Sequence, residues 1–127
     1  MKFMLKEGLC YTSRTVVSLE NCAVSVGSGD LEVFATPAMI ALMENAAMNA
    51  VAAVLPEGST TVGSEMNTTH IKPTAIGGEV AATATLKAVE GRKLTFEVVA
   101  ADGGGIIGEG VHVRYVVDRE KFMAKLR

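Results

Sequence analysis

The feature that most constrains this fold is an apolar stretch with a proline at each end, running from Thr36-Pro37 to Leu55-Pro56. It reads as one long helix. Thr36 is placed to act as N-cap, because a threonine hydroxyl accepts an orphan backbone N–H of the first turn. Pro37 then occupies the first helical position, where a missing N–H costs nothing. Pro56 and Gly58 stop the helix. Between Ala38 and Leu55 the polar residues are Glu44, Asn45 and Asn49. A helix on a protein surface shows a broad polar face, and this one does not. Its alanines, Ala46, Ala47, Ala50, Ala52 and Ala53, let a neighbouring backbone come close. Something therefore wraps the helix, and a single carboxylate sits in its middle.

The rest of the chain supplies the wrapping. Thr12–Leu19 is β-prone and reads as a first strand. Glu20–Glu32 is rich in Gly and Ser, with one short helical turn expected at Cys22–Val26. Lying directly before a buried helix, it reads as an entrance loop or as a plain connector. After the helix come strands at Thr61–Lys72, Glu79–Val89, Arg92–Ala101 and Ile106–Val117. In the third, Val80, Ala82, Ala84, Leu86 and Ala88 share one face; in the fourth, Leu94, Phe96 and Val98 do. Glu90-Gly91 and Asp102–Gly105 are turns. Gly108 and Gly110 predict a bulge or close packing against the helix. Asp118–Arg127 reads as a short helix that docks through Phe122 and Met123. Short turns make the last four strands antiparallel neighbours. An α+β domain follows, a five-stranded antiparallel sheet curled around one long helix, which is the hotdog architecture. Such a sheet leaves apolar surface uncovered, so a homodimer is expected, with further pairing to a tetramer left open.

Length and charge narrow the function. The 127 residues suit a single domain. A formal net charge of −2 with no basic run excludes a phosphate-backbone binder. The helix is interrupted by Glu44, Asn45 and Asn49, so it does not read as a membrane span. Met1–Glu7 has too short an apolar patch for a signal peptide. Cys10 and Cys22 lack metal spacing and read as reduced thiols of a cytoplasmic protein.

Few residues are candidates for chemistry. Glu44 is a carboxylate in apolar surroundings, a setting that raises a pKa unless a cation pairs with it, and that suits a general base. His70 and His112 each lie in a strand, and local sequence does not separate a catalytic from a structural role. Thr36 stands at a helix N-terminus, where free N–H groups stabilise a developing oxyanion. It lies about 12 Å from Glu44 along the axis and about 80° round it, on one broad face. The two therefore address different parts of a substrate or are bridged by a third group. Gly63 offers either room for a substrate or a simple bulge. The two histidines and Glu44 lack zinc spacing, so neither metal nor other cofactor is expected.

The segments Val33-Phe34-Ala35-Thr36, Met39, Leu42-Met43-Glu44, Thr69-His70, Val89-Glu90-Gly91-Arg92-Lys93-Leu94 and Glu120-Lys121-Phe122 resemble the fluoroacetyl-CoA thioesterase family of hotdog proteins. The resemblance runs from about Leu31 onward with unchanged spacing. It implies a catalytic set of Thr36, Glu44 and His70, with Phe34, Gly63 and Arg114 shaping the substrate site and His112 structural. Pro37 stands where the fluoroacetyl enzyme has Gly. Asn21–Glu32 has no aromatic residue, whereas that enzyme's lid carries a Phe. The resemblance carries the machinery over, and these departures give the fluoroacetyl selectivity no support.

The resulting expectation is hydrolysis of a small acyl-CoA thioester. Glu44 acts as base for water or as nucleophile, and His70 polarises the carbonyl or protonates the departing thiolate. Lys72, Arg92 and Lys93, at strand ends, are candidates to meet the CoA phosphates. Two other readings stand beside it. One is an enoyl-CoA hydratase using Glu65 and His70, although alternate faces of a strand separate that pair. The other is a non-catalytic acyl-CoA or small-acid binder.

Overall fold

A computed structural model of the chain describes residues 5–127. The expectation for the first four residues lies outside that range. In chain order the elements are β1 (Cys10–Val16), a 3-10 turn at Leu19–Asn21, α1 (Ala23–Val26), α2 (Thr36–Ala52), β2 (Ser59–Thr68), β3 (Glu79–Glu90), β4 (Lys93–Asp102), β5 (Gly105–Asp118) and α3 (Arg119–Ala124). Among the described residues the strands form one antiparallel sheet in the order β1-β3-β4-β5-β2. No helix among them is long and apolar enough to cross a membrane.

The core follows from two periodicities meeting. Met39, Met43, Ala46, Ala47 and Val51 recur at helical spacing and are fully buried. They face Val80, Ala82, Ala84 and Leu86 of β3 and Leu94, Phe96, Val98 and Ala100 of β4, which alternate at strand spacing. The alanines of β3 and α2 keep this contact close. Asn45 ties the helix to β1, its side-chain oxygen accepting the Ser13 hydroxyl at 2.7 Å. The sheet does not wrap α2 completely. Ala41, Asn45, Met48 and Ala52 form an exposed stripe one to two turns apart.

Several boundaries differ from expectation for physical reasons. Ala35, not Thr36, is the N-cap of α2: it is extended (φ −75°, ψ 139°), and its carbonyl accepts the first helical bond, from Met39 N at 3.0 Å. Thr36 is the first helical residue and Pro37 the second, so the Thr36 hydroxyl is released from capping. β2 is not a neighbour of β3; it lies at the far edge, paired with β5. The link between them is not a hairpin. Thr69 and Ile71 keep bonding to β5, Ala75 then bridges to Val33, and the chain enters β3 on the other side of the sheet. The first strand is Cys10–Val16, two residues earlier than expected at its start. His70 lies just past the end of β2 rather than within a strand. Phe122 and Met123 of α3 are exposed rather than docked.

Of the β5 glycines, Gly108 matches the expectation of close packing against the helix, whereas Gly110 packs against β2. A side chain at Gly108 would meet the Thr69 carbonyl and the Met39 thioether, and one at Gly110 would meet Asn67 and Thr68 backbone. A register shift between Ala100 and Ala101 accompanies Gly108. Cys10 is exposed, Cys22 is buried, and both are free thiols.

Candidate active site

Thr36 and His70 are brought together by two termini. The first turn of α2 carries the freed Thr36 hydroxyl, and the extended segment after β2 carries His70. Thr36 Oγ1 and His70 Nδ1 share a hydrogen bond of 2.7 Å. The Phe34 ring stands edge-on to the imidazole, 6.4 Å between centroids at 79°. His70 Nε2 is buried and has no hydrogen-bond partner among the described residues. Burial pushes the His70 pKa below its ordinary value, with the Lys72 backbone opposing. Burial thus disfavours the charged form of the ring. A pocket of about 280 Å³ opens here, lined by Phe34, Thr36, His70 and Lys72 and walled by Ala23 and Ser28 of the segment before α2. That segment is thus a wall of the pocket, as an entrance loop would be.

Glu44 occupies a different hollow, of about 390 Å³, lined by Glu44, Asn45, Met48, Thr61, Gly63 and Arg114. Residues 112 and 114 of β5 alternate onto the face that carries Phe96 and Leu94, so a histidine and an arginine point toward the helix. Arg114 is 6% exposed. Its Nε donates to Thr61 Oγ1 at 2.8 Å and its Nη2 to the Thr61 carbonyl at 2.9 Å. Its Nη1 lies 3.2 Å from His112 Nε2. Since a guanidinium only donates, His112 Nε2 is the acceptor. Its Nδ1 then carries the proton, donated to the Glu65 carbonyl at 2.7 Å. Burial lowers the pKa of both groups, and the Glu44 carboxylate opposes it in each.

Gly63 explains how these groups fit. It pairs with Arg114, next to a register shift between Gly63 and Glu65. A Cβ there would lie 2.8 Å from Glu44 Oε2, 3.2 Å from His112 Cε1 and 3.3 Å from Arg114 Nη1. The bulge is real, and the missing side chain also makes room for the carboxylate. Arg114 Nη1 lies on the same side of Gly63 as the Glu44 carboxylate, but no hydrogen bond or ion pair joins the two among the described residues.

The structure thus joins Thr36, His70, Phe34 and Lys72 in one pocket and Glu44, Gly63 and Arg114 in another. Lys72 Nζ donates to the Gly104 carbonyl at 3.0 Å. Arg92 lies in a separate groove beside α3. Lys93, opposite Tyr115 in the ladder, lines none of these pockets. Glu65 is exposed and lines neither main pocket, so it is not set against His70. Beside Glu44 and Arg114 lie His112, which sequence reasoning set down as structural, and Thr61, which it missed. The alternation of 112 with 114 was the available signal.

A five-stranded antiparallel sheet curled on one long helix is the hotdog fold found in thioesterases. The sequence model of the fluoroacetyl-CoA-specific thioesterase family matches residues 17–120, and the chain belongs to that family. A fluoroacetyl-CoA thioesterase of Streptantibioticus cattleyicolor is 46% identical over 96 residues, 76% of this chain and 69% of that protein. A crystal structure of a point mutant of the fluoroacetyl-CoA-specific thioesterase FlK superimposes with a TM-score of 0.91 at 37% identity, covering 99% of this chain and 98% of that one. A hypothetical protein of Thermus thermophilus from the thioesterase superfamily superimposes at 0.88 with 27% identity, over 96% and 90% of the two chains.

Proposed function

We infer that the chain hydrolyses a small acyl-CoA thioester with Thr36, His70 and Glu44. The observation that carries this is the Thr36–His70 hydrogen bond, which leaves His70 Nε2 buried and unpartnered at a pocket. With the Thr36 hydroxyl donating to Nδ1, Nε2 carries the proton. It then donates to the thioester carbonyl or to the departing thiolate. Glu44 takes a proton from water as that water attacks the carbonyl carbon, or attacks the carbon itself and is released by water afterwards. Either route consumes one water and yields a carboxylic acid and CoA thiol. Arg114 places its positive charge near the carboxylate, beside Gly63.

The chain acts as a homodimer in this reading. Support comes from Ala41, Met48 and Ala52, exposed on one side of α2, and from β2, an edge strand with one side unpaired among the described residues. Antiparallel pairing of two β2 edges brings the Thr68 end of one strand to the Ser59 end of the other. The Thr36–His70 pocket of one subunit then approaches the Glu44 side of its partner. Mixing inactive Glu44→Ala and His70→Ala chains regenerates activity under this arrangement; a mixture as inactive as its parts overturns the shared site.

Thiol release from a panel of short, branched and aromatic acyl-CoA esters tests the reaction and finds the acyl group. Release from at least one ester is expected, and no release from any ester sinks the assignment. A binder without turnover is the second reading. It is favoured by Pro37, which removes one free N–H from the helix start where an oxyanion would rest. A saturable thermal shift with CoA esters and no thiol would mark that case.

A further inference from the structure

The chain that follows His70 is exposed from Ile71 to Gly77 with one exception, Thr74, which is 5% exposed. A buried threonine in an exposed loop needs a partner for its hydroxyl. The partner is Asp102, the last residue of β4: Thr74 Oγ1 donates to Asp102 Oδ2 at 2.8 Å. The turn after β4 fixes the other carboxylate oxygen, Oδ1 accepting the Gly104 N–H at 2.8 Å. The same turn closes back on the loop, since the Gly104 carbonyl accepts from Lys72 Nζ. A side chain at Gly104 would strike that ammonium, and one at Gly78 would stand 2.7 Å from the Thr74 methyl. The Thr74 hydroxyl and the Gly104 N–H hold the Asp102 carboxyl below its ordinary range; burial opposes them and the Lys72 charge adds to them.

Thr74 reaches both halves of the Thr36–His70 pair. It lies four residues beyond His70, across Pro73. The proline ring fixes its own φ and keeps Lys72 extended, so the link is stiff and the place of Thr74 is felt at His70. Toward Thr36 it acts through its carbonyl, which accepts the Phe34 N–H at 2.9 Å, and through Ala75, which bridges to Val33. Phe34 stands two residues before Thr36 and packs edge-on to the His70 ring. The bonds from Thr69 and Ile71 to β5 locate the loop that carries His70, but they do not reach the strand that enters α2. Thr74 is bonded to that strand and tethered to His70 at once.

We propose that Asp102 is a positioning residue: through Thr74 it keeps Thr36 Oγ1 and His70 Nδ1 within hydrogen-bond distance. Asp102 does not line the pocket those two share, so it acts on substrate only through them. The proposal deepens the reading of Thr36 and His70 as a hydrolytic pair and rests on it.

The test compares Asp102→Ala, Asp102→Asn, Thr74→Val and Thr74→Ser with wild type. The readouts are kcat and KM for thiol release from the best ester, a thermal melt, and the imidazole nitrogen shifts by NMR at about pH 8, above the ordinary histidine pKa. With Thr36 donating to His70 Nδ1, the His70 proton sits on Nε2. His112 is the opposite tautomer, its Nδ1 donating to the Glu65 carbonyl, and serves as the internal reference. Asp102→Ala and Thr74→Val are expected to lower kcat by about tenfold or more with KM little changed. They should also mix the His70 tautomers while His112 keeps its own. Asp102→Asn and Thr74→Ser are expected to recover most of kcat: the asparagine oxygen accepts from Gly104 while its amide donates to the Thr74 hydroxyl, and serine keeps the hydroxyl. A lowered melt with wild-type kcat and an unchanged His70 tautomer in Asp102→Ala makes the residue merely structural and overturns the proposal. An asparagine variant as slow as the alanine one overturns it too, as does a tautomer change in His112 as large as that in His70. Should Asp102→Ala not fold, Thr74→Val decides by the same readouts. No thiol from any ester with wild type would mean that the hydrolysis reading has failed; the His70 tautomer in the variants then still decides whether Asp102 positions the pair.

Discussion

Replacing Gly63 by alanine places one methyl group where the Glu44 cluster converges. The new Cβ would stand 2.8 Å from Glu44 Oε2, whereas ordinary contact begins near 3.4 Å, so the carboxylate must retreat by about 0.6 Å. Retreat is confined, because His112 Cε1 and Arg114 Nη1 lie 3.2 and 3.3 Å from the same point. The carboxylate is the free end of a side chain and can move, but His112 and Arg114 are buried and held by their own hydrogen bonds, so crowding outweighs the roughly 0.5–1 kcal/mol gained over glycine in a strand. A modest loss of stability, on the order of 1 kcal/mol, is expected. Catalysis should fall much further, since a misplacement of about 1 Å in a reacting group costs on the order of 10²-fold in rate. The assay is thiol release from the best ester, beside a thermal melt. A folded Gly63→Ala protein with unchanged kcat would refute the claim that this glycine exists to seat Glu44.

Other outcomes follow from the same geometry. Thr36→Val should cost about 0.5–1.5 kcal/mol in denaturant melts, the worth of its bond to His70 and not of a cap, while thiol release falls; unchanged thiol release would leave that bond purely structural. Burial holds the pKa of both His70 and His112 below the ordinary value of about 6.5. The unfolded chain therefore binds more protons as pH falls through about 6.5, and stability is full above that point and declines below it. The decline is at most about 1.4 kcal/mol per pH unit for each histidine, and His112→Gln should flatten it in urea melts at pH 5 to 7. Met43→Ala empties a fully buried position between helix and sheet and should cost about 2–5 kcal/mol by the same method.

Much of the fold was legible because its punctuation is local. Pro37, Pro56 and Gly58 bracket α2, and the period-two runs of Val80 to Leu86 and Leu94 to Val98 name the core faces of β3 and β4. The partner of β2 was not legible, since which sheet edge a strand joins is decided by long-range pairing. The role of Thr36 turned on one residue of cap geometry: threonine suits both the cap and the first turn, and only the extended Ala35 decides between them. The candidates Thr36, Glu44 and His70 were found from residue type and family resemblance. The bond between Thr36 and His70, and the separation of Glu44 from them, needed coordinates. The burial of Arg114 was hidden as well, because arginine is almost never fully buried unless it is paired. Its pairing depends on Thr61, which is distant in sequence.

The central claim is that the Thr36–His70 pair and Glu44, though in separate hollows of one chain, act as one hydrolytic unit. Its most direct measurement is kcat for thiol release by Glu44→Ala, His70→Ala and the double variant, each shown to fold. Residues that act as a unit are grossly non-additive. The account predicts that each single variant loses most of the activity and that the double variant is no slower than the worse single one. Losses that multiply in the double variant, or a single variant with wild-type kcat, would contradict it.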